Sequence, residues 1–230
     1  MGNPMKTIVI TSQKGGSGKT TLAAQLSVAA ERAKHGPVVL IDTDIQNTLT
    51  TWWNLRETDT PQFAEVTLRT LENKLADLAT AGFAYCFIDT PPALTDQNEN
   101  ILKLADLVLI PARPTPADLW SLGATIDLVN KAGVPFAFVL TQAKGNAKLT
   151  LQTVAALSEF GSVFQAIIHD RVDYAASMTD GRTVMELNPS SPAAAETAAL
   201  WLSVRKKIDE KTNSSKNEFV KTQRRVKAHA

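Results

Sequence analysis

Gln13-Lys14-Gly15-Gly16-Ser17-Gly18-Lys19-Thr20-Thr21 is the stretch that decides the fold. It follows a β-branched apolar run, Lys6–Thr11 (KTIVIT). It precedes a segment, Thr20–Ala33, with Leu22, Ala23, Leu26, Ala29, Ala30 and Ala33 at helical spacing. Strand, glycine-rich turn and helix together are the setting of a phosphate-binding loop. Glycines let the backbone bend until several N–H groups face one anion. A helix starting near Lys19 adds the positive end of its dipole. The Lys19 ammonium can reach the β- and γ-phosphates of a nucleotide, and the Thr20 hydroxyl can ligate Mg²⁺. Gly15, Gly16, Ser17, Gly18 and Thr21 complete the expected cradle. The usual loop has a glycine five residues before Gly18, where this chain has Gln13, and it carries an extra lysine, Lys14.

Outward from the loop, apolar runs alternate with helical patterns. The periodicity predicts strands over Val38–Thr43, Phe63–Leu68, Tyr85–Asp89, Leu107–Ile110, Phe136–Thr141 and Val163–Ile168. It predicts helices over Thr48–Arg56, Leu71–Ala81, Asn98–Ala105, Ala117–Lys131, Leu149–Phe160 and Ala193–Ile208. Repeated strand–helix–strand units imply an α/β fold, a mostly parallel, twisted sheet with helices on both faces, and the glycine loop after its first strand makes the expected fold that of a P-loop NTPase. No internal linker interrupts 1–208, which reads as one domain. After Asp209 the apolar periodicity is lost, and 209–230 reads as a flexible basic tail.

Composition excludes several classes. The chain has 230 residues, 44% of them hydrophobic, enough for a substantial core. Cys86 is the only cysteine, which rules out a disulfide framework and argues against a thiolate metal cluster within one chain. No apolar run approaches the roughly 20 residues of a membrane span, and no signal peptide is legible, so a cytoplasmic location is expected. The formal charge of +1 conceals an asymmetry. Residues 205–230 carry nine Lys/Arg against three Asp/Glu, a net +6, leaving −5 for the rest. A basic end on an acidic body suggests an anionic partner there.

Three aspartates end predicted strands, where open α/β sheets bind ligands. Asp42 and Asp44 stand in Ile41-Asp42-Thr43-Asp44-Ile45-Gln46, and Asp89 ends Tyr85-Cys86-Phe87-Ile88-Asp89-Thr90-Pro91-Pro92. An apolar strand closed by one aspartate has the form of a Walker B strand, whose carboxylate holds Mg²⁺.

Lys14-Gly15-Gly16-Ser17-Gly18-Lys19-Thr20-Thr21 resembles the deviant Walker A motif of the ParA/MinD ATPases. Asp42-Thr43-Asp44-Ile45-Gln46 is similar to the family's first switch, departing at Ile45, where proline is usual. Asp89-Thr90-Pro91-Pro92 resembles its second switch. Arg171–Ala175 and Gly181–Leu187 are similar to its C-terminal third, so the resemblance covers roughly residues 6–208. It implies an ATPase that dimerises around ATP and Mg²⁺, with Lys14 reaching the partner's phosphates. It implies that Asp44 orients the attacking water, with Asp42 near the metal and its waters and Thr20 and Asp89 holding it. Relatives often place asparagine after the strand that ends near Leu140. Here Thr141-Gln142 stands there, and Gln142 can donate to and accept from an adenine edge.

The preferred member of the family is a small partition ATPase that binds DNA nonspecifically as an ATP-bound homodimer and associates with the nucleoid. A centromere-binding (ParB-type) protein or cargo adaptor would stimulate its slow hydrolysis. Candidate DNA contacts are Arg205, Lys206, Lys207, Arg224 and Arg225, with Arg171 and Arg182. A membrane role is disfavoured, because Phe219, Val220 and Val226 are the only sizeable apolar residues of 218–230. A protein-complex positioning ATPase, a MinD-like membrane-associated one and a small-molecule ligase or kinase are the alternatives.

Overall fold

The computed structural model describes residues 4–92, 96–145 and 147–227. Seven strands alternate with helices along the chain. The first half is β1 (Lys6–Ile10), α1 (Lys19–Arg32), β2 (Val38–Asp42), α2 (Thr48–Asn54), β3 (Gln62–Phe63), α3 (Leu71–Thr80), β4 (Tyr85–Asp89) and α4 (Asp96–Lys103). The second half is β5 (Leu107–Ala112), α5 (Pro116–Ala132), β6 (Phe136–Leu140), α6 (Ala147–Ser158), β7 (Ser162–Val163), α7 (Val172–Met178), α8 (Val184–Leu187) and α9 (Pro192–Lys227).

The strands form one sheet in the order β3-β2-β4-β1-β5-β6-β7, and every pairing is parallel. This is the α/β architecture that the alternation predicts. Both faces are covered. Ile8, Ile10, Leu40, Phe87, Leu109 and Val139 face the core shared with α1, α2 and α9. Their neighbours Val9, Ile41, Cys86, Ile88, Val108 and Phe138 face the core under α3, α4 and α5. Alternate side chains of a strand point to opposite faces, so continuous apolar runs are needed when both faces are buried. Trp201, 1% exposed, anchors α9 by packing edge-on to Tyr85 at a centroid distance of 4.9 Å.

Register places the site. Asp89 aligns with Ile10 on one side and Asp42 on the other, so two carboxylates and the start of the Gly-rich loop lie side by side. Strand β1 sits between β4 and β5, where the strand order changes direction and ligands collect at the C-terminal ends.

Three expected elements differ. The Phe63–Leu68 strand reduces to β3, because a turn in which Thr70 N donates to Thr67 O diverts the chain after Ala64. The Val163–Ile168 strand reduces to β7. Phe164 N donates to Phe138 O and Ile168 N to Leu140 O, so four residues span what two cover on β6, and the chain bows away between them. The last helix continues to Lys227 instead of ending at Ile208. Residues 209–227 hold no proline or glycine to stop it. Arg205–Asp209 and Lys206–Glu210 ion pairs join successive turns across the expected end. Among the described residues, no helix is long and apolar enough to cross a membrane.

Candidate nucleotide site

The loop between β1 and α1 is bent by Gly16 (φ 70°) and Gly18 (φ 99°), a region that side chains avoid. Gly18 also begins α1 and leaves its first N–H groups without a side-chain cap, the arrangement that receives an anion. The loop's carbonyls are engaged from behind. Thr141 Oγ1 donates to Ser17 O (2.8 Å), and Gln142 Nε2 donates to Gly16 O (2.8 Å). Gln142, at φ 51°, therefore supports the loop through its amide nitrogen and also lines the cleft beside it. Ser17 is buried, and its hydroxyl has no partner among the described residues.

Lys19 is only 7% exposed. Burial pushes its ammonium pKa down, while Asp89 and Asp44 oppose that shift. Lys14 is half-buried on the same loop, next to the exposed Gly15. Thr20 projects from the first turn of α1 and donates to Asp89 Oδ2 at 2.5 Å. The other oxygen of Asp89 is buried with no hydrogen-bond partner among the described residues. Burial pushes the Asp89 carboxyl up to about 7; Asp42 and Asp44 add to this, and Thr20 and Lys19 oppose it. A desolvated carboxylate oxygen lacking a donor, next to a hydroxyl, suits a hard divalent cation with oxygen ligands. Mg²⁺ needs only one or two protein oxygens beside phosphate and water, and Thr20 and Asp89 fit it.

Asp42 ends β2, and Asp44 stands in the tight turn that follows. Asp42 Oδ1 accepts from Asp44 N (3.0 Å). Asp42 Oδ2 accepts from both Thr50 N and Thr50 Oγ1 at 3.0 Å. Both oxygens of Asp42 thus shape the backbone that carries Asp44 and hold the first turn of α2. Asp44 Oδ1 accepts from Gln46 N, and its side chain is partly exposed. Ile45 beside it is 86% exposed.

A cleft of about 210 Å³ adjoins the loop between Gly18, Thr21 and Leu22 on one side and His169, Arg171 and Tyr174 on the other. Glu196 of α9 organises the far wall. Its Oε1 lies 2.8 Å from His169 Nδ1 and accepts from Arg171 Nη2 at 2.6 Å. Its Oε2 accepts from His169 N. No periodicity or motif marks Glu196 or His169, which are 27 residues apart and meet because the segment after β7, bridged to Ala143 at His169, passes the start of α9.

The basic candidates do not gather into one patch. Arg171 stands at the cleft, paired with Glu196. Arg182 pairs with Asp180 on an exposed loop. Arg205 lies at the opposite end of the sheet, where its Nη1 is 2.6 Å from His35 Nε2. Lys206 faces Glu210 at 3.9 Å, and Lys207 donates to Ser162 Oγ. Arg224 and Arg225 lie on the helical backbone of α9, their side chains outside the described residues.

Comparison with known proteins bears on the family and the fold. Residues 8–184 match the CobQ/CobB/MinD/ParA nucleotide binding domain. The chain is 28% identical over 203 residues to the Maintenance of carboxysome distribution protein A of Halothiobacillus neapolitanus, covering 84% of this chain and 93% of that one. It is 32% identical to Protein virC1 of Rhizobium rhizogenes, over 77% of this chain and 82% of the relative. The fold superposes on the cell division ATPase MinD of Pyrococcus furiosus with a TM-score of 0.73, at 21% identity, covering 87% and 98% of the two chains.

Proposed function

This chain belongs to the CobQ/CobB/MinD/ParA nucleotide-binding family, and from that premise we propose that it is an ATP-driven dimerising switch that partitions or positions a cargo. The observation that carries the reading is the Lys19–Thr20–Asp89 constellation at the glycine loop. A buried ammonium that feels the charge of Asp89 stands next in the chain to the hydroxyl bonded to that carboxylate, whose other oxygen is unpartnered among the described residues, beside helix N–H groups with no side-chain cap.

Each residue has a role in that scheme. The α1 N-terminus and Lys19 bind the β- and γ-phosphates. Thr20 and Asp89 would hold Mg²⁺, which supplies charge neutralisation on the phosphates. Asp44 orients the water whose oxygen attacks the γ-phosphorus as the bond to the bridging oxygen breaks. Lys14 reaches the nucleotide of a second copy and stabilises the charge that develops on the transferring group. The cleft of about 210 Å³ beside Gly18 is large enough to begin accommodating the ribose and base. Loss of the γ-phosphate frees the segments around Asp44 and Asp89, and the dimer separates.

The ATP-bound dimer holds DNA through backbone phosphates and so sits on the nucleoid, with the charge drawn from α9, which carries Arg205, Lys206, Lys207, Arg224 and Arg225. A centromere-binding or cargo-adaptor protein stimulates turnover. Relatives named for carboxysome distribution, matching over most of the chain, favour a protein-complex cargo as the second reading. The deciding experiment is retention on random-sequence DNA, with ATP and Mg²⁺, ADP or no nucleotide, across a salt series. ATP-dependent retention that falls steeply with salt supports the reading. Retention indifferent to ATP, or binding to anionic vesicles instead, overturns it.

A further inference from the structure

We propose that Arg56 is a positioning residue that ties the segment Asp42–Asn47 to the loop Thr179–Leu187, so that the nucleotide state sensed at Asp44 reaches the surface bearing Arg182. The proposal rests on the reading that the glycine loop binds a nucleotide to which the Asp44 segment responds.

The connection begins at Asp42. One carboxylate accepts from Asp44 N and from Thr50 N and Oγ1, so the turn bearing Asp44 and the first turn of α2 share a single anchor. Helix α2 is seven residues long, a rod of about 10 Å. Movement of Asp44 that shifts Asp42 must carry this rod with it.

The far end of the rod is fastened to the 179–187 loop. Trp52, on α2, donates through Nε1 to Arg182 O at 3.0 Å. Arg56, just beyond α2, donates through Nη1 to Gly181 O (2.6 Å) and through Nη2 to Glu186 Oε1 (2.8 Å). Its guanidinium lies over the Trp52 ring, 4.8 Å from the centroid, and the side chain is 2% exposed. Glu186 in turn accepts from Thr183 N and Oγ1, closing the box that starts α8. Gly181 has φ +78°, and a Cβ there would lie 2.6 Å from Arg56 N and Leu55 C. The loop is therefore seated directly on the end of α2.

A second strut reaches the same loop from the nucleotide side. Gln25 of α1 accepts from Val184 N (3.0 Å) and donates to Ser177 Oγ (3.2 Å), all buried. Both elements that grip the loop thus start at the candidate site. A desolvated Arg–Glu pair with several backbone bonds is stiff, since breaking it strands a buried charge. Stiff contacts pass displacement on instead of absorbing it. Arg182, whose carbonyl is clamped while its guanidinium meets Asp180 at the surface, is where that displacement emerges.

The test is hydrogen exchange read by mass spectrometry on the full chain, with and without ATP and Mg²⁺. In the parent protein, nucleotide should change exchange in peptides covering 42–50 and 179–187. In Arg56→Ala the response at 42–50 should remain, and that at 179–187 should fall at least fivefold. Trp52→Phe removes the Nε1 donor but keeps an aromatic ring under Arg56, and once its unfolding midpoint shows that it folds, it should halve the distal response. Arg56→Lys keeps a charge but not the fork of donors and should not restore it. Two results overturn the proposal: an unchanged nucleotide-dependent difference at 179–187 in these variants, as a purely structural role predicts, or no such difference in a parent protein that binds ATP. Failure of the parent protein to bind ATP at all overturns the underlying functional reading instead.

Discussion

Thr20 and Asp89 meet at 2.5 Å, the hydroxyl on the first turn of α1 donating to the carboxylate that ends β4, although 69 residues separate them. The contact satisfies one oxygen of Asp89 and leaves the other buried without a donor among the described residues. The pair is thus arranged around a charge that the protein alone does not neutralise. With a divalent cation bound, the same two groups would serve as its oxygen ligands.

Asp89→Asn should stabilise the metal-free protein at alkaline pH while abolishing hydrolysis. Burial raises the Asp89 carboxyl to about 7, above the ordinary 3.8. The folded chain therefore holds this proton more tightly than the unfolded chain does. Its contribution is most favourable below about pH 4, declines as pH rises towards 7, and is fully lost beyond that. The loss is on the order of a few kcal/mol. Urea unfolding at pH 5 and pH 8 without metal should show a smaller decline for the variant than for the parent. Added Mg²⁺ should stabilise the parent alone.

Lys14→Ala should separate dimerisation from nucleotide binding. Lys14 is half-buried and makes no ion pair with another described residue, so its loss should change stability by no more than about 0.5 kcal/mol. ATP affinity should hold within about threefold, while turnover falls at least about 100-fold, as for removal of a charge acting across an interface. Light scattering with ATP, beside phosphate release, checks both. Lys19→Ala should instead lose the nucleotide itself.

Gly181→Ala should be among the most damaging single-methyl additions in the chain. The position has φ +78°, and the new carbon would meet backbone atoms of Leu55 and Arg56 at 2.6 Å. Backbone cannot step aside as a side-chain tip can, so a loss of at least about 2 kcal/mol is expected. The midpoint of urea unfolding should fall accordingly, with its slope unchanged.

Cys86 should be inert in the native protein. It lies in β4 with no exposed surface, and burial pushes its thiol pKa up, which suppresses the thiolate. A thiol-reactive chromophore should label the chain in urea and leave it unmodified under native conditions. Rapid native labelling would contradict the packing of β4.

Much of this site is legible in the amino-acid sequence. The glycine loop, Lys19, Thr20 and Asp89 fall where the strand–loop–helix reading predicts, because glycine chemistry and strand periodicity are local. The support that Gln142 gives the loop is not. Only the fold, at φ 51°, brings its amide nitrogen to Gly16 O. Asp42 is similar. Its place at a strand end suggests metal or water, and only the return of Thr50 above it shows both oxygens engaged by backbone and hydroxyl donors. Helices α7 and α8, of seven and four residues, are too short to display a period.

The linear order of residues is enough to establish a parallel α/β sheet with a phosphate loop, since apolar runs of strand length and a G-K-T-T turn carry their own geometry. It is silent on which distant side chains become partners. Arg56 and Glu186 are 130 residues apart, and nothing in either neighbourhood announces the other. Their meeting depends on α2 and the Gly181 loop being packed over the same sheet face. Folding decides such contacts because buried charges must find partners among whatever surfaces the sheet brings together.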